Sequence, residues 1–126
     1  MPVVSHHQTF MTWEQFEHAC SEIAKFFEGS GIEVKDIYGI PKGGLPAAVR
    51  LAHLLDRPLI IDAKKISKKT LIVDDIIDTG RTTEKYRKRG LMLVSLYYNP
   101  SQCPYVPLCW VYQKVRGWIV FPWERK

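Results

Sequence analysis

Few residues in this chain are suited to covalent or metal cross-links. It holds 3 cysteines among 126 residues, Cys20, Cys103 and Cys109. An odd number spread so widely argues against a disulfide framework and fits a reducing compartment. Cys103 and Cys109 have no second close pair and no His at metal-site spacing, which argues against structural zinc. Long apolar runs are missing too. None reaches the roughly 18 residues that a membrane span requires, and the opening "MPVVSHHQTF" lacks a basic segment followed by a long apolar one. A cytoplasmic chain without a membrane partner is expected. Internal repeats and low-complexity tracts are also absent.

The composition is that of an ordinary globular domain, with 46% hydrophobic and 25% charged residues. The length allows one core and no second one, so residues 1–126 are expected to form a single domain. A formal net charge of +5 favours an anionic partner without saying which.

In "TWEQFEHACSEIAKFFEGSG", Trp13, Phe16, Cys20, Ile23 and Phe27 recur at three- and four-residue spacing, which predicts an amphipathic helix. Thr12 and Gln15 have the form of a capping box, and Gly29 and Gly31 supply the stop. A short strand, "VKDIYGI", follows and is broken by "PKGG". The segment "LPAAVRLAHLL" restarts a helix with Pro46 in its first turn. "RPLIID" and "TLIVDD" read as strands joined by the basic stretch "AKKISKK", "TTEKYRKRG" as a short polar helix ending at Gly90, and "LMLVSLYY" as a buried strand. Strands alternating with helices predict an α/β fold, a parallel sheet covered on both faces. The Pro- and aromatic-rich remainder contains one or two final strands, "LCWVYQ" and "WIVF". His6 and His7 read as a solvated tail.

Ligands of parallel sheets sit beyond the carboxyl ends of strands, and two such ends carry unusual chemistry here. In "LIVDDIIDTGRTT", Gly80 permits close backbone approach while Thr79, Thr82 and Thr83 add hydroxyl donors, together a phosphate cradle. Asp74 and Asp75 would repel a phosphate and suit sugar hydroxyls or a divalent cation. A regular strand points them to opposite faces, with Asp75 the favoured ligand contact. In "YGIPKGG", Lys42, Gly43 and Gly44 offer a second anion site at a helix start. A sugar with phosphate at C5 and diphosphate at C1 answers both loops.

"LIVDDIIDTGRTT" resembles the signature of the type I phosphoribosyltransferases, through Asp74, Asp75, Asp78, Thr79, Gly80 and Thr82. "YGIPKGGLPAAVRLAHLL" resembles that family's pyrophosphate loop and following helix. "MTWEQFEHACSEIAKFF" and "WIVFPWE" are similar to the bacterial xanthine-guanine branch, so the resemblance spans nearly the whole chain. It implies a fold with a core over about residues 12–99 and a small base-binding hood over about 100–126. It implies that Asp74 and Asp75 contact the ribose hydroxyls and Mg²⁺, and that Asp78, Thr79, Gly80, Arg81 and Thr82 hold the 5-phosphate. It places pyrophosphate on Pro41, Lys42, Gly43 and Gly44, with a cis Pro41 to Lys42 peptide. It makes Asp78 the proton acceptor, Trp118 a stacking platform and the Ile119 backbone a reader of the base edge. The implied partners are phosphoribosyl pyrophosphate, a purine base and further copies of the chain in a homodimer or homotetramer, with no membrane and no nucleic acid.

Two departures stand out. Where the purine branch carries a Lys after the strand "VSLYYNP", which donates to the 6-oxo group, the aligned residue is Asn99. The mobile loop expected before the signature strand is reduced to "AKKISKK", with Lys64, Lys65, Lys68 and Lys69 read as a solvated turn. A short lid excludes water poorly. Beside the purine transferase stand two alternatives, a nucleotide- or RNA-binding regulator on the same fold and a hydrolase of phosphoribosyl compounds.

Overall fold

A computed structural model describes residues 8–114 and 117–125. His6 and His7 lie outside them. The elements run β1 (Gln8–Phe10), α1 (Trp13–Ser30), β2 (Asp36–Gly39), α2 (Leu45–Leu55), β3 (Leu59–Ile60), β4 (Thr70–Ile77), α3 (Glu84–Lys88), β5 (Met92–Tyr98), β6 (Cys109–Gln113) and β7 (Trp118–Val120). Five strands form one sheet in the order β3-β2-β4-β5-β6, and β1 pairs with β7 in a second, two-stranded sheet. Every pairing is parallel.

The α1 capping box forms as the sequence indicates. The Gln15 N–H donates to Thr12 Oγ1 at 3.0 Å, and the Thr12 N–H donates to Gln15 Oε1 at 2.8 Å. Gly31, at φ 73°, ends the helix in the left-handed region. The apolar stripe of α1, Phe16, Cys20, Ile23 and Phe27, packs with Ala47, Ala48 and Leu51 of α2 on one face of the sheet. A second core, built on Tyr38, Ile72, Ile77, Leu93, Tyr98 and Tyr105, lies on the other face under Tyr86 of α3. The sheet is therefore covered on both sides, as continuous apolar strands require.

Two features depart from the sequence reading. β1 was not expected, and "WIVF" leaves the main sheet to pair with it, Thr9 opposite Ile119. The alternation of β4 also inverts. Leu71 and Val73 face the α1/α2 core and Ile72 the other, but beyond the two aspartates Ile76 packs on the α1/α2 side and Ile77 on the other. A local reason is visible: the Asp75 N–H donates to Asp74 Oδ1 at 2.9 Å and the Ile76 N–H to Asp75 Oδ1 at 2.8 Å. Side-chain oxygens thus compete with the ladder for two successive backbone donors. The expectation of opposite faces fails at this point.

Candidate active site

β2 and β4 are neighbours in the middle of the sheet, so their carboxyl ends deliver both loops to one place. There they enclose an open cavity of about 790 Å³. Its wall includes Pro41, Lys42 and Gly43 from the first loop, Asp74 and Asp75 from β4, and Asp78, Thr79, Gly80, Arg81 and Thr82 from the second. Gly44 caps α2 behind the first loop and is buried. The Pro41–Lys42 peptide is cis. A Cβ on Gly43 would run into the Asp75 carboxylate, so glycine lets this loop lie against that side chain without pushing it aside.

The second loop is braced from below. Gly80 adopts φ +85°, and a Cβ there would meet Cys103 Sγ and the Tyr105 ring at 2.8 Å. The Tyr105 hydroxyl donates to the Gly80 carbonyl at 2.7 Å and is also hydrogen-bonded to Thr83 Oγ1. Thr79, Arg81 and Thr82 remain exposed above this support. α3 is a short helix of 5 residues, so the cradle is made by loop backbone and hydroxyls.

The carboxylates differ in their electrostatics. Burial pushes Asp74 up to about 8, and the Asp75 charge adds to the shift. Asp75 is raised as well, chiefly by burial, with Glu124 contributing repulsion. Two adjacent buried carboxyls held above their ordinary range present oxygen donors that suit a hard cation. Among the described residues no group of three or more His, Cys, Asp or Glu side chains could hold a metal ion, so any cation here would need oxygens from a ligand as well. Asp78 moves the other way. Burial would raise it, but hydrogen bonds from Lys114 and Asn99 and the Lys114 charge hold it below the usual carboxylate range. Lys114 Nζ lies 2.6 Å from Oδ2 and Asn99 Nδ2 lies 2.7 Å from Oδ1.

The expected base-binding residues stand apart from the cavity wall. Asn99 is buried and reaches the cavity only through Asp78. Trp118 is 69% exposed, and Ile119 is a core residue. Sequence reasoning missed Lys114, Tyr105, Trp123, Glu124 and Arg125. The last three line the cavity, set there by the stacking of Trp123 on Phe121, with centroids 5.0 Å apart, and its edge contact with Phe16. The "PWE" turn is marked in the sequence only by its similarity to the xanthine-guanine branch. Lys114 carried no signal, because a lone Lys just after the strand "LCWVYQ" has no local partner in the sequence.

A mostly parallel sheet with an acidic strand end, a threonine loop and a second glycine loop is the architecture of the type I phosphoribosyltransferases. No family model matches the chain. Its sequence is 27% identical to a xanthine-guanine phosphoribosyltransferase of Idiomarina loihiensis, over 95% of this chain and 89% of that one. A crystal structure of a purine phosphoribosyltransferase from Pyrococcus horikoshii superposes with a TM-score of 0.78 at 29% identity, covering 94% of this chain and 95% of that one. The Helicobacter pylori xanthine-guanine-hypoxanthine phosphoribosyltransferase gives a TM-score of 0.76 at 21% identity, over 94% of each chain. The chain is thus similar in sequence and in fold to purine phosphoribosyltransferases, with xanthine-guanine enzymes among its sequence matches.

Proposed function

We propose that this chain transfers the 5-phosphoribosyl group of phosphoribosyl pyrophosphate to a purine base, releasing pyrophosphate, in purine salvage. The observation that carries this reading is the convergence of the Lys42 loop, the acidic pair and the threonine loop on one cavity. The names of the relatives point the same way.

In this reading Asp78, Thr79, Gly80, Arg81 and Thr82 hold the 5-phosphate with backbone N–H groups and hydroxyls. Pro41, Lys42, Gly43 and Gly44 hold the diphosphate. Asp74 and Asp75 take the ribose hydroxyls and would hold Mg²⁺, which when bound would supply positive charge toward the departing diphosphate. A purine ring nitrogen bonds to C1 as the bond from C1 to the diphosphate oxygen breaks, its electron pair leaving with pyrophosphate. Asp78 accepts the proton that the ring sheds. Trp118, exposed and aromatic, stacks on the base, and the Ile119 backbone reads its edge. The working form is a homodimer or homotetramer in the cytoplasm. Among the described residues no helix is long and apolar enough to cross a membrane.

One observation favours a second reading, a nucleotide-binding regulator: both Asp78 oxygens already have donors. The test incubates the protein with Mg²⁺, phosphoribosyl pyrophosphate and guanine, xanthine, hypoxanthine or adenine, with a no-base control, and follows pyrophosphate and nucleotide. Nucleotide formed with one or more bases supports the transferase. Pyrophosphate without nucleotide points to hydrolysis, and tight ligand binding without product points to the regulator.

A further inference from the structure

Lys114 has no part in the chemistry described so far, yet it is held firmly at the site. It follows the last residue of β6, and its backbone N–H donates to the Tyr98 carbonyl at 2.8 Å. Its side chain is 16% exposed, and its ammonium sits on the outer oxygen of the one carboxylate proposed to accept a proton. The Asp78 side chain is 40% exposed and lines the cavity. To a ligand approaching Asp78 the protein therefore offers an acceptor and a donor side by side.

Purines carry an adjacent pair along one edge, N7 and the 6-substituent. In guanine the substituent is an oxygen that accepts, and in adenine an amino group that donates. When the N7 edge faces Asp78, the 6-substituent comes beside the group already within hydrogen-bond reach of that carboxylate. An O6 there receives an ammonium N–H. A 6-amino group meets three N–H donors and no acceptor, since ammonium has none. Asn99 stays on the inner oxygen, keeping the carboxylate oriented while Lys114 turns outward.

We propose that Lys114 selects 6-oxopurines over 6-aminopurines, its ammonium passing from Asp78 to O6 as the base docks and freeing Oδ2 for the ring N–H. The inference rests on the transferase reading for where the base lies. It also assigns the specificity contact to the edge strand β6, where the family resemblance would seek it at Asn99.

The test is calorimetric binding of the free bases hypoxanthine and adenine, whose rings can present an N7–H to Asp78 as a 9-substituted nucleotide cannot, so no turnover is needed. The wild-type chain is expected to favour hypoxanthine by about 10- to 100-fold, as a charge-assisted contact against a donor clash would give. Lys114→Met should remove that preference by weakening hypoxanthine alone, and Lys114→Arg should restore part of it. A wild-type chain that binds both bases equally overturns the proposal, as does a Lys114→Met variant that keeps the preference or weakens both bases alike. The transferase reading fails separately. If no base yields nucleotide while the Lys114-dependent preference persists, the activity is wrong and the specificity residue stands.

Discussion

The two ends of the acidic segment are finished to different degrees. Near the end of β4, Asp74 and Asp75 are buried or half-buried, are both raised chiefly by that burial and, among the described residues, have no Lys or Arg within salt-bridge distance. Three positions on, Asp78 has a donor on each oxygen and a cation already in place. Neither state follows from residue type. The difference comes from what surrounding elements bring. The first pair faces the cavity with Glu124 nearby, whereas Asp78 leans toward the ends of β5 and β6. In the proposed reading, the end lacking a cation takes one up with the ligand, and the end holding a cation gives it to the base.

The sharpest break of this contrast is Asp78→Asn, which should lower transfer by about 10² to 10⁴ because an amide does not accept the proton. Binding of phosphoribosyl pyrophosphate should be nearly unchanged, so turnover and ligand titration together check it. Unchanged turnover removes the role given to Asp78.

Asp74→Asn should act on stability. The native Asp74 keeps its proton up to about pH 8, whereas an unfolded Asp releases it near pH 4. Between these values the native state binds more protons, so stability is complete below the unfolded value and declines as pH rises toward the folded one. The variant should abolish this decline, melting a few degrees higher than wild type at about pH 8 and near it at about pH 4. Melting curves across pH without ligand decide it; parallel curves for the two proteins contradict the uncompensated-pair account.

The smallest effect is expected at the brace. Tyr105→Phe deletes the hydroxyl from the Gly80 carbonyl and Thr83, costing about 1 kcal/mol of stability. It should weaken ribose 5-phosphate binding a few-fold, because the loop loses its lower support. Denaturant unfolding and phosphate-ester titration measure both, and loss of stability with unaltered affinity would make Tyr105 a core residue only.

Much of this arrangement was legible in the residues. The periodicity and caps of α1 and the run of α2 gave those helices, and the ordered "DDIIDTGRTT" gave the strand and the threonine loop that lines the cavity, because local chemistry controls each. What stayed hidden depends on distant partners. β1 has one large apolar residue, Phe10, and becomes a strand only by pairing with β7. The inversion at Asp74 and Asp75 leaves no mark in a pattern that reads as regular. Lys114 gains its meaning from Asp78, which only the parallel order of β4, β5 and β6 brings near it.

That pairing of β1 with β7 bears on how the fold forms. Gln8 stands opposite Trp118, so this contact closes a long loop, at an entropic cost that grows only slowly with length. The pairings of β2 with β4 and of β4 with β5 join segments far closer in the chain, and contacts between near neighbours form faster than distant ones. The small sheet of β1 and β7 is therefore expected to assemble late, on a main sheet already formed.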